Sequence, residues 1–277
     1  MHANALARFV ETHPRLFVLT GAGCSTDSGI PDYRDADGAW KRTPPISYQA
    51  FMGDRLARKR YWARSLVGWR HFGRAEPNGT HRALRELEAQ ERLSMLVTQN
   101  VDGLHQRAGS RRVIDLHGRL DQVRCMACEL RLPRTDFQHE LEARNPAWAA
   151  LQASEAPDGD ADLDGRDFER FAVPPCPACG GVLKPDVVFF GENVPRERVA
   201  TAMQAVVEAD AVLVVGSSLM VFSGYRFVHA AARAGKPVAA VNLGRTRADP
   251  LLSLKVEAPC AQALSFLLAG TRVADAL

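Results

Sequence analysis

Long apolar runs are absent from this 277-residue sequence, and none approaches the roughly 20 residues that an α-helix needs to cross a bilayer. The first residues, from Met1 to His13, contain no apolar core of the kind found in a secretory signal peptide. Glu11 within that stretch argues against an organelle transit peptide, because such peptides are poor in acidic residues. We therefore expect a cytoplasmic protein that does not bind membranes.

An excess of one charge is also missing. The 35 lysine and arginine residues nearly balance the 32 aspartate and glutamate residues, which gives a net charge of +3. A net charge this small provides no strong field to attract nucleic acid or anionic lipid. Since 46% of the residues are hydrophobic and 24% are charged, the composition is that of a soluble globular protein. We expect a monomer that does not bind nucleic acid.

Cysteine is scarce, and the positions of the six cysteines are informative. Four of them form two C-x-x-C pairs, Cys125 with Cys128 and Cys176 with Cys179. In a chain without a secretory signal, such pairs favour a metal ion over disulfides. Each pair can supply two thiolates to a tetrahedral zinc ion, and four protein ligands leave no open coordination position. The sequence therefore predicts a zinc site with a structural role.

Strand patterns alternate with helical patterns along most of the chain. Short apolar runs predict strands at 15–20, 93–98, 113–116, 211–215 and 237–242. Helical spacing predicts helices at 50–72, 81–90, 195–208, 222–234 and from about 260 onward. The alternation indicates an α/β fold with a Rossmann-like, doubly wound parallel sheet. The cysteine-bearing segment interrupts the alternation, so we expect it to form a smaller zinc-binding domain inserted into the larger one.

The first predicted strand ends in a G-x-G turn formed by Gly21, Ala22 and Gly23. Such a turn lets the backbone approach a phosphate group. The third glycine of the usual dinucleotide fingerprint is absent, so the turn is equally compatible with a simple change of chain direction. A loop rich in Gly, Pro, Asp and Ser follows over residues 24–48, and a loop of this length is usually functional.

Polar or glycine-rich residues follow four of the predicted strands, at 98–103, 117–118, 216–218 and 242–244. In an open parallel sheet, ligands bind outside the carboxyl ends of the strands. Any one of these segments alone is typical of an ordinary turn. Because four of them would meet at one edge of the sheet, they predict a shared ligand-binding crevice.

Several segments together resemble the sirtuin family. They are residues 21–34 (GAGCSTDSGIPDYR), 98–105 (TQNVDGLH), 116–118 (LHG), the two C-x-x-C pairs, 184–192 (KPDVVFFGE) and 215–218 (VGSS). Within that family, the chain is most similar to the class II branch, which includes an animal mitochondrial sirtuin. The similarity lies in the motif PDYR at 31–34, the segment YWAR at 61–64 and an acidic insertion at 145–172.

The resemblance implies a domain arrangement and a reaction. Residues 1–40, 77–118 and 186–277 would form the NAD-binding domain, 41–76 the helical part of the small domain, and 119–185 its zinc-binding module. In sirtuins, the acyl-lysine oxygen displaces nicotinamide from NAD, and a general base then activates a ribose hydroxyl. The products are nicotinamide, free lysine and O-acyl-ADP-ribose. His117 matches that base, since a neutral imidazole accepts a hydroxyl proton at about pH 7.

The resemblance also implies the residues that contact NAD. They are Gly21, Ala22, Gly23, Asp32, Tyr33, Arg34, Gln99, Asn100, Asp102, Gly216, Ser217, Ser218, Asn242, Leu243 and Cys260. Residues 21–23 would lie against the phosphates, and residues 32–34 would belong to a loop that closes over the cofactor. Asn100, which also counts as catalytic, and Asp102 would hold the nicotinamide and its ribose. Residues 216–218 and 242–243 would lie on the phosphate and adenosine side.

The resemblance also implies that acyl-lysine proteins or peptides are the partners, and it suggests where they bind. The segment Val187, Val188, Phe189, Phe190 and Gly191 is similar to the part of sirtuins that pairs with the substrate as an added strand. Pairing through main-chain groups tolerates many peptide sequences. A plain buried strand is the alternative interpretation of this segment.

Two features bear on which acyl group is removed. The insertion at 145–172 would either fold back towards the acyl channel or remain a solvated loop. Tyr61 and Arg64 lie three residues apart and share a helix face. They resemble the pair that selects acidic acyl groups in another sirtuin class, but an ordinary pair on a helix surface fits as well.

Three other functions are compatible with parts of the pattern. A protein mono-ADP-ribosyltransferase would use the same NAD pocket, and residue content does not separate it from a deacylase. A dehydrogenase would use NAD as a hydride carrier, but the sequence suggests no substrate site for one. A zinc module that binds nucleic acid needs a basic, aromatic face near the cysteines. The insertion instead carries Asp158, Asp160, Asp162 and Asp164, which argues against that function.

Overall fold

A computed structural model describes residues 2–41, 44–151, 155–156, 160–161, 163 and 165–273. In chain order, helices α1 to α10 are His2–Thr12, Tyr48–Gly53, Arg55–Phe72, Gly79–Ala89, Leu104–Arg107, Arg134–Arg144, Pro146–Ala149, Arg196–Glu208, Phe222–Arg233 and Cys260–Ala263. Strands β1 to β11 are Leu16–Thr20, Leu93–Thr98, Val113–Asp115, Gly118–Cys125, Arg131–Pro133, Glu155–Ala156, Asp160–Ala161, Leu183–Val187, Ala211–Val215, Val238–Val241 and Leu254–Val256. Short 3₁₀ helices cover Ala22–Cys24, Thr26–Ser28, Asp249–Leu251 and Ser265–Val273.

Six strands form a parallel sheet in the order β11-β10-β9-β1-β2-β3. On one face of β1, Leu16 and Val18 pack in a cluster that includes residues of α1 and α4. On the other face, Phe17 and Leu19 pack in a cluster that includes residues of α8 and α9. Because both faces are covered, all five residues of β1 are buried, and its sequence is an unbroken apolar run. This arrangement confirms the doubly wound α/β prediction.

The order of the strands locates a crevice. From β1, the chain continues to β2 and β3 on one side, whereas β9, β10 and β11 lie on the other side. Strands β1 and β9 are neighbours, so the direction of winding changes between them. At such a switch point the loops after the strands diverge to opposite faces and leave room for a ligand. The turn at 21–23 and the segment at 216–218 follow these two strands.

A second, three-stranded sheet in the order β5-β4-β8 belongs to a separate cluster of buried side chains with α2, α3 and α6. Trp62 of α3 is fully buried at its centre. The Trp62 ring lies 4.7 Å from that of Phe137, and its Nε1 donates to the Leu183 carbonyl at 3.2 Å. The helix predicted at 50–72 is in fact two helices, because Asp54 leaves the helical conformation and caps α3 by accepting from the Leu56 N–H.

The described part of the insertion packs against α3 and is not a solvated loop. Arg64 of α3 donates to the Asp160 carboxylate at 3.1 Å and to the Ala161 carbonyl at 2.9 Å. Phe168 and Phe171 are buried in the same cluster as Trp62. Asp158, Asp162 and Asp164, also noted in the sequence, lie outside the described residues.

Some elements carry no clear signal in the sequence. Helices α1 and α6 and strand β11 are not predicted, and the expected C-terminal helix is only the four-residue α10 followed by a 3₁₀ helix. Strand β11, an edge strand of three residues, is too short for a periodic pattern. Across the described ranges, no helix has both the length and the apolarity of a membrane span.

Candidate active site

The two glycine-bearing loops at the switch point are held together through their backbones. The Gly21 N–H donates to the Val215 carbonyl at 3.1 Å, and the Gly23 N–H donates to the Gly216 carbonyl at 2.9 Å. Gly216 has φ +63°, and a Cβ at this position would lie 2.3 Å from the Cys24 nitrogen. No other residue fits at Gly216 without moving the turn. One wall of the crevice is therefore backbone from two neighbouring strand ends.

The residues after β2 form a connected polar group with the first loop. Asn100 Nδ2 donates to the Gly21 carbonyl and to Ser25 Oγ, both at 3.1 Å. Ser25 Oγ donates to Asp102 Oδ2 at 2.7 Å, and the other Asp102 oxygen accepts from the Leu104 N–H at 2.9 Å. The hydrogen bonds fix Asn100 and Asp102 against the glycine turn. The sequence did not single out Ser25, although it lies inside the 21–34 segment.

Asp102 is a buried carboxyl group. Its pKa is raised from 3.8, mainly because burial disfavours the charged form, although the hydrogen bonds from Leu104 and Ser25 act in the opposite direction. Gln99, three residues earlier in the chain, accepts a 2.6 Å hydrogen bond from Ser217 Oγ through Oε1. The ends of β2 and β9 are thus joined across the end of β1.

His117 follows β3 and is held at both ring nitrogens. Nδ1 lies 2.9 Å from the Gln99 carbonyl oxygen, and Nε2 lies 2.8 Å from Ser223 Oγ. A carbonyl oxygen only accepts, so Nδ1 carries the proton in the neutral ring, and Nε2 has the lone pair that accepts from the Ser223 hydroxyl. Burial lowers the pKa of His117 to about 4, with smaller contributions in the same direction from Arg198 and Arg226. The imidazole is therefore neutral at pH 7, as a general base requires.

The residues expected in the cofactor loop form a small hairpin. Asp32 accepts from the Lys41 ammonium group, and the Arg34 guanidinium lies 3.9 Å over the ring of Trp40. Tyr33 meets the same ring edge to face at 6.1 Å. Trp40 in turn contacts Phe190 at 5.5 Å between ring centroids. The loop at 32–41 thus touches the segment expected to bind substrate.

The residues expected on the adenosine side differ in exposure. Leu243 is 62% exposed, whereas Cys260 is buried in the core cluster on the α1 and α4 face of the sheet. Asn242 Nδ2 is turned towards its own turn and donates to the Leu243 carbonyl at 2.9 Å. Ser218 is half-buried, and its carbonyl accepts from the Arg247 N–H at 2.9 Å. Leu243 is therefore an accessible apolar side chain next to the end of β10.

The segment expected to bind substrate runs beyond its strand. Strand β8 ends at Val187, and the next N–H, that of Val188, donates to the His117 carbonyl at 2.7 Å. Phe189 is 8% exposed and Phe190 40% exposed. The Gly191 carbonyl accepts from Gln49 Nε2 at 3.1 Å. Residues 188–191 are therefore not a plain buried strand, and they start beside His117.

Gly118 couples that segment to His117. It has φ +83°, and a Cβ there would lie 2.0 Å from the Asp186 carbonyl oxygen. A side chain at this position would push β4 away from β8. The His-Gly pair in the sequence thus has a steric cause as well as a chemical one.

The four cysteines of the C-x-x-C pairs come together as predicted. Their sulfur atoms all lie within 4.8 Å of one another, with Cys125 3.5 Å from Cys179 and Cys128 3.7 Å from Cys176. A tetrahedral zinc ion with Zn–S bonds of about 2.3 Å needs sulfurs about 3.8 Å apart. The backbone N–H groups of Cys128 and Ala127 lower the pKa of Cys125 to about 6. Both the donor set and its spacing fit zinc.

A second group of metal-type side chains, Cys24, His81 and His105, is buried under the glycine turn. His81 Nδ1 accepts the Asn78 N–H at 3.2 Å in a capping box at the start of α4. Since burial lowers the pKa of His81 to about 4, the ring is neutral, and its single proton lies on Nε2. Nε2 therefore has no lone pair for a metal ion, and this group is better understood as packing beneath the loop.

Comparisons with known proteins agree with this geometry. The Sir2 family model matches residues 21–223. An NAD-dependent protein deacetylase of Xanthomonas campestris pv. campestris (strain 8004) is 71% identical over 263 residues, which cover 95% of this chain and 90% of that protein. Another from Bordetella bronchiseptica is 68% identical, with 95% and 96% covered.

Solved structures of Sir2 proteins have the same fold. A Sir2 complex with a p53 peptide and NAD+ superposes with a TM-score of 0.76 at 27% identity, covering 98% of both chains. A structure solved to explain the mechanism and regulation of Sir2 enzymes gives a TM-score of 0.76 at 32% identity, covering 97% of this chain and 96% of that chain. The resemblance seen in the sequence is confirmed, and this chain belongs to the Sir2 family, the sirtuins.

Proposed function

We propose that this chain removes acyl groups from protein lysines in an NAD-dependent reaction and forms nicotinamide, free lysine and O-acyl-ADP-ribose. The observation that carries the proposal is the neutral His117, whose Nε2 lone pair lies at the carboxyl edge of the sheet. The backbone carbonyl of His117 also accepts a hydrogen bond from the Val188 N–H, at the start of the segment expected to bind substrate. The proposal is supported by relatives named NAD-dependent protein deacetylase, one of which is 71% identical over 263 residues.

The residues around the crevice would have different roles in the reaction. When bound, NAD supplies the ribose carbon to which the acyl oxygen becomes attached as nicotinamide leaves. Asn100 and Asp102 are held by Ser25 and are suited to hydrogen-bond the nicotinamide end. His117 Nε2 would accept the proton of the attacking ribose hydroxyl. The glycine turn and residues 216–218 offer backbone N–H groups and hydroxyls to the phosphates.

The substrate would enter from the other side of His117. Residues 187–191 leave β8 beside the base, and we propose that they pair with an acyl-lysine peptide as an added strand. Phe189 contacts Tyr61 at 5.3 Å and Phe51 at 5.2 Å between ring centroids. An aromatic wall of this kind would exclude water around an acyl chain.

We further propose that residues 1–40, 77–118 and 186–277 form the cofactor domain, with 41–76 and 119–185 as the small domain. The separate clusters of buried side chains support this division. Cys125, Cys128, Cys176 and Cys179 would hold a structural zinc ion in the small domain. A filled four-thiolate shell supplies no Lewis acid to the reaction, so its contribution would be to folding.

Placement in the class II branch is also a proposal, supported by the YWAR segment at 61–64 and by the insertion. Arg64 is already paired with Asp160 and with the Ala161 carbonyl. We therefore propose that Arg64 anchors the insertion and does not select acyl groups that carry a carboxylate.

Product analysis tests the main proposal. The purified protein is incubated with NAD and acetyl, long-chain, lipoyl and glutaryl lysine peptides, and the products are identified by mass spectrometry. NAD-dependent O-acyl-ADP-ribose is the expected product with at least one peptide. ADP-ribose attached to protein without acyl transfer would contradict the deacylase and favour the ADP-ribosyltransferase. Loss of the acyl product in His117→Ala, with NAD binding retained, is expected from the role of the base.

A further inference from the structure

Ser223 makes a direct contact with the proposed base that no local sequence pattern predicts. It lies in the first turn of α9, is 9% exposed, and places Oγ 2.8 Å from His117 Nε2. His117 Nδ1 carries the proton of the neutral ring, because it donates a hydrogen bond to the Gln99 carbonyl. Nε2 is therefore the acceptor, and the Ser223 hydroxyl is the donor. The ring is therefore fixed in plane and tautomer from both ends.

The surroundings of His117 make the protonated ring costly. Two arginines, Arg198 of α8 and Arg226 of α9, lower the pKa of His117, because their positive charges disfavour a positive charge on the ring. In the described part of the chain, the partners of its ring nitrogens are the Gln99 carbonyl and the Ser223 hydroxyl. Of the two, only a hydroxyl can change from donor to acceptor by rotating.

We propose that Ser223 is a positioning residue that acts through His117. Its hydroxyl donates to the single Nε2 lone pair while no ribose is bound, and rotates away when the ribose hydroxyl takes that place. Once the ribose proton has moved to Nε2, the Ser223 oxygen accepts from Nε2–H. The proton moves from that hydroxyl oxygen to Nε2, and the oxygen keeps its electron pair for attack on the acyl carbon. Ser223 gains and loses no proton overall. This inference rests on the proposed function, in which His117 is the base.

The test compares Ser223→Ala with Ser223→Thr, which keeps the hydroxyl. Ser110→Ala is a matched control, since Ser110 is 5% exposed and its hydroxyl has no hydrogen-bond partner among the described residues. Two rates are measured: formation of O-acyl-ADP-ribose, and exchange of labelled nicotinamide into NAD in the presence of acyl peptide. The exchange reports nicotinamide departure, a step that precedes the action of the base.

For Ser223→Ala we expect kcat for O-acyl-ADP-ribose to fall roughly tenfold or more, part of the about 10²- to 10⁴-fold contribution of a general base. KM for NAD and the exchange rate should stay within about twofold of the parent, because the hydroxyl acts only on the later step. A hydrogen bond to the charged ring is stronger than one to the neutral ring. Losing it should lower the pKa of His117, so the acid limb of the pH profile should move to lower pH. Ser223→Thr should restore kcat and the limb.

Failure of the role of Ser223 and failure of the proposed function give different results. Equal losses of exchange and acyl transfer in Ser223→Ala would mean that the hydroxyl only supports the fold, and would overturn the inference. So would an unchanged kcat and pH limb while His117→Ala is inactive. Full activity of His117→Ala itself would remove the proposed base, whatever Ser223→Ala does.

Discussion

Ser25 donates a 2.7 Å hydrogen bond to Asp102 and accepts a 3.1 Å hydrogen bond from Asn100. One hydroxyl thus ties the loop after β1 to both polar residues that follow β2. The arrangement holds a carboxylate where burial raises its pKa above 3.8. A carboxyl group whose ionisation is disfavoured by burial lowers the stability of the fold when it is charged. Groups with such shifted pKa values are typical of functional sites.

We expect Asp102→Asn to lower deacylation at least tenfold without lowering the melting temperature. Because the folded-state pKa of Asp102 is raised, its contribution to stability is greatest when the carboxyl group is protonated, and is lost as pH rises through the folded pKa. Asparagine removes the charge at pH 7 and keeps an acceptor oxygen. Thermal unfolding and product formation are measured at the same pH.

The exposed Asp136 of α6 provides a control, since Asp136→Asn should change neither quantity. A drop of several degrees in Asp102→Asn would mean that the ionised carboxylate stabilises the fold, against the direction of its pKa shift.

The sequence predicted most of the sheet because its strands are buried on both faces. Leu16 to Leu19 alternate between two cores, so every residue is apolar and the run is easy to see. Asp54 was missed because a single capping residue inside a helical pattern leaves the apolar spacing almost unchanged. Helix α6 was missed for another reason. Its buried residues include Arg134 and Gln138, polar side chains satisfied by each other and by Ser65, which conceal the apolar face.

Some residues of the candidate site could likewise be predicted from the sequence, and others could not. His117, Asn100 and the cysteine pairs stand in local motifs that carry their own chemistry. Ser223 and Asp160 contact His117 and Arg64 across 106 and 96 residues of sequence, and no local pattern marks them. The sequence also left two interpretations of Arg64 open, a surface pair and an acyl contact, because Asp160 lies 96 residues away and only the fold brings it to Arg64.

Protonation of buried histidines should weaken the fold as pH falls. The pKa of His81 is lowered from 6.5 to about 4 by burial, so its contribution is fully present above pH 6.5 and is lost as pH falls through 4. At about 1.4 kcal/mol per unit, this amounts to up to about 3 kcal/mol for His81. His81→Gln keeps an acceptor for the Asn78 N–H at a position where capping boxes prefer glutamine.

We therefore expect the free energy of unfolding of His81→Gln, from urea titrations, to change less between pH 7 and about 4.5 than that of the parent. The exposed His139 of α6 offers the matched variant, His139→Gln, which should keep the slope of the parent. Parallel curves for parent and His81→Gln would show that the buried ring does not stay neutral.

Removal of one thiolate from the four-cysteine site should release its metal. Cys179→Ser is expected to lose bound zinc and to lower the melting temperature by many degrees, since binding a structural zinc ion is part of the folding free energy. Zinc per chain and thermal unfolding are measured together. Cys24→Ala, in the other group of metal-type side chains, should retain the same zinc content as the parent, because His81 presents an N–H to that group. A halving of zinc in Cys24→Ala would show that the second group binds metal after all.

Arg64→Ala should loosen the insertion without changing acyl preference. It removes a partly buried ion pair with Asp160 and a hydrogen bond to the Ala161 carbonyl, a loss of about 1–2 kcal/mol or a few degrees in melting temperature. Arg144→Ala, which removes an exposed pair with Glu140, should cost less than about 0.5 kcal/mol. Since the Arg64 guanidinium is already neutralised, kcat/KM for acetyl and glutaryl peptides should fall by the same factor. A loss confined to the glutaryl peptide would instead mean that Arg64 leaves Asp160 to bind the acyl carboxylate, and the insertion would then take part in selecting the substrate.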